Sequence, residues 1–374
     1  MKIKTITCHD VYNYGASLQA YALQYYLKSL GHRVEIIDYL PRYISGKNYT
    51  FWFVSEQSPY YNICKKNVII KFLYCMRRLI MYSQTFGRKK AFDQFKLEFL
   101  SCTNRYTTYQ DLCTNPPEAD FYIAGSDQIW NTSLGNGKDP SFYLQFGNDN
   151  IKRISYAASF GIAEIPEEMK PQIYNWLNRV NSISVREQSG LDILSNLNID
   201  SAVEVVDPVF LLDKQEWGNL ANTSTVRIEY PYILVYDMFM KETSLKTSAI
   251  KLSKKLGLPL VAINDAFKVK YADRSICDAG PAEFVSLIKN ATVIISSSFH
   301  ATAFSIIFEK EFYTFYKGDN ISRMINILDK IGCVNRLNSP DVVGDMEKPD
   351  CKATSHLLSE SINKSKKFLG DTLC

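Results

Sequence analysis

The chain has 374 residues, of which 46% are hydrophobic and 22% are charged, and its formal net charge at pH 7 is +4. This length exceeds what one hydrophobic core usually serves, so it favours two domains, and the composition is that of a globular protein. No apolar stretch reaches the 18 residues that a membrane-spanning helix needs. We also expect no nucleic-acid partner.

The cysteines argue for a reducing compartment. All nine are scattered, without a C-x-x-C pair or a Cys/His cluster at zinc spacing. The first ten residues lack the long apolar region of a signal peptide. We therefore expect a cytoplasmic protein with reduced thiols and no bound metal.

The chain opens as a β-α-β unit. We predict a strand at 3–8, a helix at 16–30 that ends at Gly31, and a second strand at 34–38. A basic, aromatic and largely helical segment follows at about 40–118, and we interpret it as an insertion.

Strands and helices then alternate to the end of the chain. Strands are predicted at 120–124, 153–159, 182–185, 203–206, 232–236, 260–263, 293–296 and 312–315. Helices are predicted at 168–180, 189–194, 243–256, 281–289, 300–308, 321–331 and 355–368. A polar stretch at 222–225 separates the two series, so we place the domains at 1–226 and 227–374, with a final helix able to pack back on the N-terminal domain. The pattern predicts an α/β protein with doubly wound parallel sheets.

The segment 65–105 is strongly basic. It carries ten Lys and Arg residues against Asp93 and Glu98, interleaved with apolar residues. A basic amphipathic helix is able to lie on an anionic membrane surface, whereas the simpler interpretation is a solvated helix packed on its own domain.

Polar clusters follow four of the predicted strands. They are His9 to Gly15, Gly125 to Asn131, Arg186-Glu187, and Ser296 to His300. Ligands of open α/β sheets bind beyond the carboxyl ends of the strands, so the shared placement of these clusters indicates a site there.

His300 and Arg186 are the strongest candidates for catalysis. His300 follows three serines at the start of a helix, where it is able to donate a proton or bind phosphate, or simply hydrogen-bond within a loop. Arg186, at the end of a strand, suits bidentate capture of carboxylate or phosphate, or an ion pair with Glu187. The sequence contains no G-x-G-x-x-G, Walker or G-x-S-x-G motif.

The clusters, taken in order, resemble the polysaccharide pyruvyl transferase family from about residue 3 to about residue 336. The matching segments are Asn13 to Ala16 with Leu18 to Leu23, Ala124 to Asn131, Ser155 to Gly161, Ser184 to Glu187, Val206 to Pro208, and Ser297 to Phe304. The resemblance implies a GT-B-like fold, with two Rossmann-like domains facing a cleft. It implies transfer of the enolpyruvyl group of phosphoenolpyruvate onto two hydroxyls of a sugar, without a further cofactor, in exopolysaccharide or capsule biosynthesis.

The resemblance also implies roles for particular residues. His300 would be the general acid or the phosphate ligand, and Arg186 would hold the anionic groups of the donor. The further residues expected to bind substrate are Asn13, Gly15, Gly125, Ser126, Asp127, Gln128, Trp130, Asn131, Glu187, Ser298, Lys317, Asn320 and Arg323. Asp127, Gln128 and Trp130 would hold the acceptor sugar. Several members of the family carry Arg at the position of Ser298, so Arg323 or Lys317 would replace that cation.

Two alternatives stay open on the sequence alone. One is a sugar-nucleotide glycosyltransferase of the same architecture, and the other is a non-catalytic binding protein that kept the fold. If the acceptor is a lipid-linked oligosaccharide, the basic segment would bring the enzyme to the inner face of the membrane.

Overall fold

The computed structural model describes residues 1–44, 54, 60–238, 243–264, 268–316, 321–339 and 351–373. The strands are β1 (Lys2–Ile6), β2 (Arg33–Tyr39), β3 (Cys102–Tyr106), β4 (Phe121–Ala124), β5 (Lys152–Ser155), β6 (Ser184–Val185), β7 (Val203–Glu204), β8 (Ile233–Tyr236), β9 (Leu260–Ile263), β10 (Arg274–Ile276), β11 (Val293–Ser296) and β12 (Glu311–Thr314). The helices are α1 (Tyr14–Ser29), α2 (Tyr61–Lys66), α3 (Val68–Phe99), α4 (Tyr109–Thr114), α5 (Lys170–Leu177), α6 (Gln188–Asn196), α7 (Lys214–Asn222), α8 (Thr243–Leu256), α9 (Pro281–Asn290), α10 (Phe299–Ile307), α11 (Ile321–Lys330) and α12 (Cys351–Thr372).

Two five-stranded sheets organise the described residues. The first has the order β3-β2-β1-β4-β5 and the second the order β10-β9-β8-β11-β12. Every strand pair in both sheets is parallel. In each sheet the chain first adds strands on one side of the earliest strand, β1 or β8, and then adds the remaining strands on its other side. This reversal of direction opens a crevice at the carboxyl ends of the strands. The expected pair of doubly wound parallel sheets is confirmed.

The segment 40–118 departs from the simple insertion that we expected. Its strand β3 pairs in parallel with β2 and forms the edge of the first sheet. The sequence Cys-Thr-Asn-Arg-Tyr shows no apolar alternation, because an edge strand with no fully buried residue needs little apolar surface. Residues 45–53 and 55–59 of this segment lie outside the described residues.

The strand predicted at 153–159 is shorter than expected. β5 ends at Ser155, and two residues later Ala157 adopts a positive φ of 53°, which a continuing strand does not allow. Beyond that turn, single parallel bridges join Asp127 to Ala158 and Ala158 to Val185. The short β6-β7 pair is thereby aligned with the carboxyl edge of the first sheet.

The two halves of the chain share one hydrophobic core. Tyr14 at the start of α1 stacks on Phe284 of α9 with ring centroids 4.4 Å apart, and its hydroxyl donates to the Ala279 carbonyl oxygen at 2.9 Å. The final helix α12 buries Leu369 in the core of the first sheet, and the Ser365 Oγ accepts from the Val206 backbone N–H at 2.9 Å. These contacts hold the carboxyl edges of the two sheets close to each other.

Candidate functional site

Asp207 lies at the centre of the charged cluster between the two sheets. It follows β7 and precedes Pro208, and its Oδ1 accepts the Val209 N–H at 3.1 Å, which starts a short 3-10 helix. Its other oxygen, Oδ2, accepts from Arg186 Nη1 at 2.6 Å and from Ser126 Oγ at 3.4 Å. Burial by itself raises the pKa of Asp207, but His300 and Arg186 outweigh burial and hold that pKa below its ordinary range.

Arg186 is buried at the end of β6 with carboxylates on several sides. Besides Asp207, its Nε lies 3.4 Å from Glu187 Oε2 and its Nη2 lies 3.9 Å from Asp127 Oδ1. Burial lowers the pKa of Arg186, yet these three carboxylates raise it above its ordinary value. The guanidinium also lies over the Phe299 ring, 5.3 Å from its centroid, a favourable cation–π geometry.

His300 stands in the first turn of α10, as the sequence predicted. Ser298 caps this helix, its Oγ accepting the Ala301 N–H at 3.5 Å. His300 Nε2 lies 3.6 Å from Asp207 Oδ2, too far for a direct hydrogen bond but close enough for electrostatic attraction. On its other side the imidazole packs directly against Gly15, where a Cβ would lie only 2.0 Å from Nδ1.

Arg323 reaches the same place from α11. Together with Arg186, Glu187, Asp207, Phe299 and Lys330, it lines a small cavity that is partly open to solvent. Burial lowers the pKa of Arg323, and the neighbouring charge of Arg186 lowers it further. Two guanidinium groups lining one cavity repel each other, so a bound anion would relieve the repulsion.

Three buried nitrogens of this cluster have no hydrogen-bond partner within the described part of the chain. They are Arg186 Nη2, His300 Nε2 and Arg323 Nε. An unsatisfied buried donor costs on the order of 1–3 kcal/mol, more for a charged group, so native proteins rarely keep one without a reason. Arg186 and Arg323 line the cavity, and His300 Nε2 lies 3.6 Å from Asp207 Oδ2, which also lines it. Donors in this arrangement are able to bind an anion. Among the described residues, no cluster of His, Cys, Asp and Glu suits a metal ion.

Other sequence-predicted residues support this site, and of those that follow only Glu187 lines the cavity. Asn13 caps α1 by accepting the Ala16 N–H at 3.2 Å. Glu187 Oε1 accepts from Ser159 Oγ at 2.5 Å, and the buried Ser126 contacts Asp207. Gly125 packs so closely that a Cβ there would lie 3.2 Å from the Thr7 side chain.

The predicted acceptor-binding residues divide into two groups. Asp127 adopts a positive φ of 74°, and its Oδ1 lies 3.9 Å from Arg186 Nη2. Gln128 Oε1 accepts a hydrogen bond from Asn131 Nδ2 at 2.7 Å. Trp130, by contrast, is fully buried, and its Nε1 donates to the Phe142 carbonyl oxygen at 3.0 Å. The structure places Trp130 in the core of the first sheet, stacked on Tyr143, so its ring presents no face to a sugar. Lys317 and Asn320 lie outside the described residues.

Sequence reasoning missed the central role of Asp207 and the contributions of Phe299 and Lys330. Asp207 was visible only as part of Val206-Asp207-Pro208, one of the family-like segments. Its buried position between an arginine and a histidine depends on the packing of both sheets, which no local pattern reveals.

Solved structures with the same architecture support the fold. Arabidopsis thaliana UGT89C1, determined with UDP-L-rhamnose, is 11% identical, and the match covers 100% of this chain and 99% of that one with a TM-score of 0.50. A Listeria monocytogenes protein, described provisionally as a UDP-N-acetylglucosamine 2-epimerase, is 9% identical, with coverage of 98% and 90% and a TM-score of 0.50. At such identities the likeness concerns the fold alone, and it confirms the GT-B-like architecture.

The sequence comparisons are more specific. No curated protein matches the chain significantly. A family model described as polysaccharide pyruvyl transferase matches residues 13–318, which include Gly15, Arg186, Asp207 and His300. Because the match covers most of the chain, the protein belongs to the polysaccharide pyruvyl transferase family.

Proposed function

We propose that the protein transfers the enolpyruvyl group of phosphoenolpyruvate onto two hydroxyls of a sugar to form a cyclic ketal. The observation that carries the proposal is the set of three unpartnered buried nitrogens on Arg186, His300 and Arg323. Phosphoenolpyruvate carries a phosphate and a carboxylate on the same carbon, carbon 2. The anionic oxygens of both groups are the acceptors that guanidinium and imidazole donors bind best.

The reaction assigns a distinct task to each of these residues. Arg186 and Arg323 bind the anionic oxygens of the donor, and His300 protonates its methylene carbon. One sugar hydroxyl then forms a bond to carbon 2, the bond between that carbon and the phosphate oxygen breaks, and a second hydroxyl closes the ring. Of the two protons that the hydroxyls lose, one balances the proton delivered to the methylene carbon and the other leaves with phosphate.

Asp207 positions this machinery rather than touching the donor. Its hydrogen bond fixes the Arg186 guanidinium, while its proximity to His300 Nε2 orients the imidazole. Fixed negative charge also favours the positive charge that develops at carbon 2 as phosphate leaves. The acceptor belongs to the sugars of cell-surface polysaccharides, either free or carried on a lipid.

Phosphate release tests the proposal. The protein is mixed with phosphoenolpyruvate and a panel of mono- and oligosaccharides, and binding of phosphoenolpyruvate alone is measured by calorimetry. We expect binding without an acceptor and release only with a suitable one. His300→Gln should lower the release rate by about 100-fold to 10,000-fold, the usual contribution of a general acid. His32→Gln, a change of the same kind far from the cluster, should leave the rate unchanged.

Other outcomes identify the alternatives. Turnover of a UDP-sugar, without binding of phosphoenolpyruvate, would establish a glycosyltransferase instead. Binding of a sugar with no turnover of any donor would establish a binding protein of this fold. Full phosphate release by His300→Gln would remove His300 from the mechanism.

A further inference from the structure

A second feature lies away from the cleft, on α2 and the first half of α3. We call the exposed side chains of residues 61–79 the distal surface. Its large apolar residues are unusually exposed for a globular protein, with 70% of Val68, 71% of Ile69 and 60% of Leu73 open to solvent. The other exposed apolar side chains in this stretch are Ile63, Ile70, Phe72, Met76 and Leu79. Contiguous exposure of this kind marks an interaction surface.

Apart from Ile70, the exposed apolar residues of α3 within the distal surface share one face of the helix. At about 100° per residue, positions 68, 69, 72, 73, 76 and 79 fall within an arc of roughly 140°. Cys75, outside this arc, is completely buried, and Tyr74 packs its ring on Tyr60 at 5.7 Å. The helix therefore uses one side for its own domain and presents an apolar side to solvent.

The charge around this face has one sign. Residues 57–79 contain no Asp or Glu, but they contain five basic residues, at 65, 66, 71, 77 and 78. Lys65, Lys66 and Arg77 are exposed next to the apolar face. A second copy of the chain would bring like charges together, whereas an anionic lipid surface complements both the charge and the apolar side chains.

We infer that the distal surface docks the protein on an anionic lipid bilayer, with the apolar side chains entering the interface and the basic residues pairing with lipid phosphates. No helix among the described residues is long and apolar enough to cross a membrane. The inferred contact involves only the side chains of the distal surface, and it does not depend on the reaction proposed for the cleft.

The same helix connects the distal surface to the cleft. Further along α3, Arg88 Nη2 donates to the Tyr12 carbonyl oxygen at 2.8 Å, and the Arg88 guanidinium lies 4.9 Å from the centre of the Tyr14 ring. Tyr14 adjoins Gly15, which contacts His300. Twenty residues of helix between Val68 and Arg88 span roughly 30 Å. Docking would thus hold the cleft a few nanometres from the bilayer, within reach of a lipid-carried sugar.

Co-sedimentation with vesicles tests the inference. Vesicles of phosphatidylcholine alone and of phosphatidylcholine with 30% phosphatidylglycerol (on the order of the anionic content that attracts basic segments) are mixed with the full chain at low and high salt. We expect binding to the anionic vesicles only, and weaker binding as salt rises. Lys65→Glu with Lys66→Glu should weaken binding at least about 30-fold, because each basic residue near such a surface contributes roughly fivefold.

Matched variants separate docking from damage to the fold. Phe72→Ser with Leu73→Ser removes exposed apolar side chains and should reduce vesicle binding while leaving the circular dichroism spectrum and thermal midpoint unchanged. Two controls should bind like the unaltered protein: Lys254→Glu with Lys255→Glu, an exposed basic pair on α8, and Leu97→Ser, which is 84% exposed near the other end of α3.

Three results would overturn the inference. The first is absence of binding to anionic vesicles at low salt. The second is binding that the substitutions at 65, 66, 72 and 73 leave unchanged. The third is a lipid-free dimer in sedimentation velocity that Phe72→Ser with Leu73→Ser abolishes, because that would make the distal surface a self-association interface.

Discussion

Gly15→Ala is a sharp perturbation of the cleft, because it adds one carbon against the imidazole of His300. The new Cβ would lie 2.0 Å from Nδ1, 2.3 Å from Cε1 and 2.7 Å from Cγ. Since ordinary contact between such atoms begins at roughly 3.4 Å, the ring must retreat by about 1.4 Å. The displacement changes the position of Nε2 relative to Asp207, now 3.6 Å away, and relative to any bound donor.

The expected effect falls on turnover rather than on folding. A misplacement of about 1 Å at a reacting group costs on the order of 100-fold in rate, so we expect a loss of about that size in phosphate release. Alanine in place of a helical glycine favours the helix by roughly 0.5–1 kcal/mol, which offsets part of the clash. The thermal midpoint should therefore move by only a few degrees.

A second glycine provides the control. Gly218 lies within α7, and a Cβ there would meet only the flexible end of Lys289, at 3.6 Å from Nζ. Gly218→Ala should keep full activity and gain roughly 0.5–1 kcal/mol of stability. Gly15→Ala with an unaltered rate of phosphate release, and an unaltered His300 resonance by NMR, would refute the reasoning, because the imidazole would then not depend on the absence of a side chain at residue 15.

Three further predictions concern charged and buried groups. Asp207→Asn removes the carboxylate closest to buried Arg186, leaving only Glu187 and Asp127 near the guanidinium, and should cost up to about 3–5 kcal/mol in denaturant unfolding at pH 7. Because the folded-state pKa of Asp207 is depressed, its contribution is present above the unfolded value of about 3.9, so the difference from the unaltered protein should shrink as the pH falls below about 4. Arg323→Met should leave unfolding stability unchanged or higher, since it removes an unpartnered buried donor, yet calorimetry should show phosphoenolpyruvate binding weakened by about 10- to 100-fold. Trp130→Phe loses the hydrogen bond to Phe142 and should cost about 2 kcal/mol in stability, while the KM for an acceptor stays constant.

Local patterns were sufficient for most of the sheet elements. The strand β11 and the helix α8 lie where periodicity placed them, because a buried parallel strand is a short apolar run and an amphipathic helix has a clear repeat. The edge strand β3 lacked such a signal, since its side chains are largely exposed. The positive φ of Ala157, which ends β5 early, is imposed by tertiary contacts rather than by the residue type.

The candidate site was partly predictable for a different reason. His300 and Arg186 could be found because strand ends in an open α/β sheet are where ligands bind. Trp130 followed the same rule, but a large aromatic ring after a strand can turn into the core as well as into the cleft, and here its indole N–H is satisfied by backbone. Only the packing of residues that are far apart in the sequence decides between these two orientations of the ring.

Ser298 shows how the structure accommodates the departure from the family pattern. Ser298 has only 2% of its surface exposed, and it caps α10. This position therefore stabilises the helix that carries His300 and supplies no positive charge. The other basic groups around the cavity are already paired, Arg186 with Asp207 and Lys330 with Glu204. Arg323 alone among the cavity-lining cations has no carboxylate within hydrogen-bonding distance in the part of the chain that the structure describes. Its charge is therefore available to attract a donor, and under the proposed function Arg323 would supply from α11 the cation expected at residue 298. Lys317, the other candidate for that cation, lies outside the described residues.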